Sequence, residues 1–186
     1  MSQKYLENLN DRLRQMQSAD RHVDLTSVLK RELEAASNDE DKSYVYGLLA
    51  TELQSQGRVQ EAEDAIRSRL EIQPNKPDAW ISLALHLFHY SQLPQEALSA
   101  IDTAIEKANL DGNFVRQSHI ERVRIALGAA KYSLVEESLK ELLDYEPRYG
   151  SLDVALEGEF LSQIPEGKVS REILEKYTKK LSELTP

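Results

Sequence analysis

The chain has 186 residues, is 40% hydrophobic and 30% charged, and carries a formal net charge of −9 with no cysteine. That length suits one sizeable core or a short stack of repeats, and the composition is that of a folded, soluble protein. The acidic balance argues against sequence-independent binding to a phosphate backbone, and the missing cysteines exclude disulfides and thiolate metal sites.

The first stretch has no apolar core of secretory type, and no segment nears the ~20 consecutive apolar residues of a membrane span. The expectation is a cytoplasmic protein with no membrane and no nucleic-acid partner. Leu6, Leu9, Leu13 and Met16 recur at three- and four-residue steps, which predicts a helix over Gln3–Ala19 with one apolar face. A second helix is expected over residues 25–36, capped by Asp24 and buried through Leu25, Val28, Leu29, Leu33 and Ala36. Residues 37–43 are polar and acidic, hence a loop or a helix start. No alternating β-branched run is long enough for a strand.

Next comes a pattern that returns. Tyr46, Leu49, Ala50 and Leu53 line one helical face, Gly57 marks a turn, and Val59, Ala62, Ile66 and Leu70 line a second helix closed by Pro74. About 34 residues further on, Trp80, Leu83, Ala84 and Leu87 repeat the order aromatic, leucine, small, leucine, followed by Ala97, Ile101 and Ala104. A third unit over residues 114–147 shows the second helix clearly, through Tyr132, Leu139, Leu142 and Pro147. Its first helix places His119, Arg122 and Val123 where a bulky residue, a leucine and a small residue belong.

Units 43–76 and 77–110 resemble tetratricopeptide repeats, with 114–147 as a weaker third. The second departs from the family pattern at "SQLPQEA", whose turn is one residue longer and lacks the glycine. The resemblance implies an all-α fold, a right-handed, slightly curved α-solenoid of helix-turn-helix repeats. Residues 1–42 and 148–186 would be terminal capping helix pairs, because such units cannot cover both faces alone. In the last of these, residues 151–164 are expected to form one helix, Pro165 to Gly167 to break it, and Ser170 to cap a final helix buried through Ile173, Leu174, Tyr177, Leu181 and Leu184. Roughly five helix pairs in one continuous domain result. Trp80 is expected between helices, since its counterpart Tyr46 is also aromatic.

No motif for catalysis or a cofactor is present: no nucleophile elbow, phosphate-binding loop or zinc-binding histidine helix. His86 and His89 lie one helical turn apart with no further ligand beside them, so no metal is expected. Arg171, Lys176, Lys179 and Lys180 gather on the last helix, where a solvated face near the negative helix end is the plain reading. No catalytic residue, cofactor or metal follows from the sequence.

What the resemblance implies is binding of a peptide or partner protein in the concave surface of the first helices. Matching positions are Tyr44, Gly47, Thr51 and Gln54 in the first unit, and Asp78, Ile81, Leu85, Phe88 and His89 in the second. The third supplies Gln117, Ile120, Arg124 and Leu127. Ile81, Leu85 and Phe88 form an apolar stripe opposite the packing stripe, so either a partner or the chain's own final helix covers them. The residues with which some members grip a terminal carboxylate are missing: Gly47, Thr51, Ser82, Gln117 and Glu121 stand there. The readings that remain are a non-catalytic protein–protein interaction module, a dedicated secretion chaperone or toxin-immunity type partner, and a homo-oligomeric scaffold pairing through the N-terminal helix.

Overall fold

The computed structural model describes residues 3–19, 24–145 and 158–183, which form helices and turns with no strand among them. In chain order the helices are α1 (Gln3–Ala19), α2 (Leu25–Ala35), α3 (Asp39–Ser55), α4 (Val59–Ile72), α5 (Pro77–His89), α6 (Pro94–Asp111), α7 (Val115–Gly128), α8 (Tyr132–Asp144) and α9 (Arg171–Ser182). Residues 158–162 are also helical. Pro147, Leu184 and the first half of the helix expected over residues 151–164 lie outside the described residues. The chain divides into two compact units, Met1–Asn75 and Lys76–Pro186, parted where the first two expected repeats meet.

In the first unit the Asp24 carboxylate accepts the Ser27 N–H at 3.1 Å, capping α2 as its spacing anticipates. Asn38 caps α3, accepting the Asp41 N–H at 2.9 Å. Asp39, Glu40 and Asp41 fill the first turn, where the helix dipole favours carboxylates. The acidic stretch is therefore largely a helix start. Packing runs from α2 to α3 and from α3 to α4. Leu9, Leu25, Leu29, Val45, Leu49, Leu53, Ala62, Ile66 and Leu70 are buried, each larger side chain contributing about 1.5–3 kcal/mol by leaving water.

The second unit opens with Pro77 and Pro94 at the starts of α5 and α6, where a missing N–H costs nothing. Neighbours pack in order from α5 to α8, α5 also reaches α7, and α9 packs on α8. Ala84, Ala97 and Ala104 are fully buried, which lets α5 and α6 approach closely. Trp80 is half-buried, less enclosed than its expected place between helices requires.

Three hairpin turns share one device. A single residue at each turn takes the left-handed conformation: Gly57 at φ 70°, Gln92 at φ 55° and Ala130 at φ 54°. Behind it, the Arg58 N–H donates to the Leu53 carbonyl at 2.9 Å and the Lys131 N–H to the Ala126 carbonyl at 2.8 Å. Both are the long hydrogen bond that closes a helix C-terminus. In the middle turn the Leu93 N–H reaches the Leu87 carbonyl at 2.8 Å, one residue further along the chain. This is the extra residue of "SQLPQEA". The matching turn at Ala130 also fixes the frame of the third hairpin, with His119, Arg122 and Val123 all facing the core.

Candidate partner-binding face

The expected groove residues fall in both units. On α3, Tyr44 is half-buried and its hydroxyl exchanges hydrogen bonds with the Asn10 amide, at 2.8 and 3.0 Å. Thr51 is exposed and donates to the Gly47 carbonyl at 3.1 Å, Gln54 is half-buried, and Gly47 lies beneath the Arg69 guanidinium. Tyr44 thus ties α3 to α1 inside its own unit.

In the second unit, α5 and α7 bring the other candidates together. Ile81 is only 4% exposed. It belongs to the core and corrects the expectation that it lines an open groove, because α5 is covered on more than one side, by α6 and by α7. Leu85, Phe88, Ile120, Arg124 and Leu127 are half-buried, and His89 and Gln117 are exposed. Phe88 packs against Gly128, the last residue of α7, and edge-on against His89 at 4.9 Å between centroids. A Cβ built there would stand 2.7 Å from Phe88 Cε2 and closer still to Cζ, so the ring lies directly on the glycine. Gly128 lies outside the expected groove and packing positions. Its only local signal is a glycine placed before the turn rather than in it.

Charge on this face is muted. Arg124 pairs with Glu121 one turn away, at 2.9 Å. Burial raises the Glu121 carboxyl above its ordinary range, and Arg124 opposes that. Burial, with help from Arg124, lowers His89 below its ordinary range. An apolar floor with few free charges suits an apolar side chain better than an ionic ligand.

The chain's own last helix goes elsewhere. The Ser170 N–H donates to Glu136 Oε2 at 2.9 Å, and Lys180 Nζ donates to the Leu143 carbonyl at 2.6 Å. Lys168 lies over the Tyr132 ring, 5.8 Å from its centroid. Through these contacts, and through buried Ile173, Tyr177 and Leu181, α9 docks on α8. Ser170 holds the capping position, but its side chain makes no capping bond. The basic residues of α9 are engaged: Arg171 with Glu175 at 2.7 Å, Lys176 with Glu172 at 2.6 Å and Lys179 with Glu183 at 3.8 Å.

His86 is fully buried and stacks on Tyr90 at 5.5 Å, whereas His89 is exposed, so the two do not share a surface. Among the described residues no group of three His, Cys, Asp or Glu side chains is placed to hold a metal. Nor, among them, is any helix long and apolar enough to cross a membrane. Leu9 is 1% exposed, so that part of the α1 stripe is spent inside the chain, with Leu13 and Met16 half-buried. No protein-family model matches the sequence, and no curated protein shows significant similarity to it.

Proposed function

We propose that the protein is a non-catalytic interaction module of the cytoplasm, a right-handed α-solenoid of tetratricopeptide-like hairpins that binds a segment of a partner protein on its α5/α7 face. The observation that carries this reading is the half-exposed apolar surface of Leu85, Phe88, Ile120 and Leu127, from which α9 is directed away. Apolar patches of this kind mark interaction sites more often than bare surface. The shared left-handed turn residues and the alanine-lined contacts support the hairpin repeat. Gln117, His89 and Arg124 form the polar edge that would set orientation.

The test is capture from the native cytosol with the wild-type chain, Leu85→Lys and Ile120→Lys, each first shown by denaturation to fold. The expected result is one or more proteins retained by wild type and lost with both variants. An identical captured set from all three would remove the α5/α7 face from consideration.

A further inference from the structure

The helix α7 buries two basic side chains. His119 and Arg122, one turn apart, are 5% and 7% exposed. Arg122 Nε lies 2.8 Å from Asp102 Oδ1 on α6, and its Nη1 lies 3.4 Å from Glu137 Oε2 on α8. The same Nη1 donates to Ser138 Oγ at 3.3 Å. One guanidinium therefore clips α7 to both flanking helices. His119 Nδ1 is buried without a hydrogen-bond partner among the described residues. The charges acting on this imidazole are Arg122 on its own helix, Asp102 on α6 and Glu137 on α8. The remaining neighbour, α5, carries the fully buried His86 and the exposed His89, the latter lowered by burial and by Arg124.

We propose that His119 and Arg122 form an acid-labile latch, in which a protonated His119 competes with Arg122 for Asp102 and Glu137 and frees α7 from α6 and α8. Both carboxylates can be shared, since their side chains are 50% and 60% exposed and can turn toward either cation. Burial holds the imidazole neutral in the folded chain, lowering it from 6.5 to about 4, with Arg122 adding to the shift and the two carboxylates opposing it. A cation depressed in this way favours folding fully above pH 6.5, and that stability is lost as the pH falls through the window down to about 4. Buried Glu121, shifted upward, works in the opposite sense, so a variant at His119 itself is the proper control. Released α7 would carry away Gly128, the seat of Phe88. That consequence rests on the proposed binding face; the latch does not.

The experiment follows α7 amide hydrogen exchange at pH 7 and pH 5, corrected for intrinsic rates, alongside an NMR titration of the His119 imidazole in the intact chain. The opening equilibrium of α7 is expected to rise about 20-fold between those pH values, and His119→Gln to remove most of the rise. An imidazole titrating near 6.5, or an equal rise in His119→Gln, overturns the latch. Should His119→Gln not fold, His119→Phe replaces it, and the titration of the unaltered chain decides by itself. Loss of partner capture plays no part in these readouts, so the latch and the binding face fail separately.

Discussion

Alanine at Gly128 is a substitution whose sign depends on a single ring. Gly128 ends α7 without a left-handed backbone, so its conformation accepts alanine. In open space the exchange would stabilise the helix by about 1 kcal/mol. Here the new Cβ meets Phe88 at 2.7 Å from Cε2 and nearer to Cζ, a contact that forces movement. Either the ring stays and the interface is overpacked, costing about 1–3 kcal/mol, or the half-buried ring swings out and forfeits about 1–2 kcal/mol of burial. Gly128→Ala is therefore expected to destabilise by about 1 kcal/mol net, and to stabilise by up to about 1 kcal/mol in a Phe88→Ala background. The assay is a double-mutant cycle by urea denaturation, comparing midpoints at a common slope. A coupling near 2 kcal/mol is expected; additivity within about 0.5 kcal/mol would refute the contact.

The turn at Ala130 should gain about 0.5–1 kcal/mol from Ala130→Gly, since an L-residue pays to be left-handed, whereas Ala129→Gly beside it should lose stability. A lower midpoint for Ala130→Gly would count against that backbone. Ala84 is fully buried, so Ala84→Leu should cost about 1–3 kcal/mol in thermal or urea unfolding, and silent acceptance would mean that α5 and α6 do not meet there. Half-buried Trp80 should cost about 3 kcal/mol on truncation to alanine, the low end for its type, and an unchanged midpoint would contradict its contribution to packing.

How much of this was legible depended on whether the cause lay along one helix or between helices. The stripes of α2 and α9 hold in part: Asp24 caps α2, and Leu25, Leu29, Ile173, Tyr177 and Leu181 are buried as spaced, whereas Val28, Leu33 and Leu174 are half-buried and the Ser170 side chain makes no capping bond. Ile81 was misplaced because one helix seen alone has a packed side and an open side, while α5 is enclosed by two neighbours. Gly128 went unread for the same reason. Its role is to receive a ring from α5, and nothing local distinguishes that from turn punctuation. In the third hairpin His119 and Arg122 blur the pattern, since a polar residue in a core position makes sense only once Asp102, Glu137 and Ser138 are seen beside it.

The three turns show which force sets these hairpins. If local turn chemistry dictated the hairpins, each turn would carry glycine at its left-handed residue, as Gly57 does. Gln92 and Ala130 take that conformation regardless, at about 1–2 kcal/mol each. Such a cost persists only when the surroundings over-determine the backbone. Those surroundings are at hand: Ala84, Leu87, Ala97 and Ile101 flank the middle turn, and Ala126, Val135 and Leu139 flank the last, all buried. At about 1.5–3 kcal/mol for each large apolar side chain, burial outweighs the strain of one residue. Helix packing thus imposes the turn, and the turn need not be written in glycine for the hairpin to form.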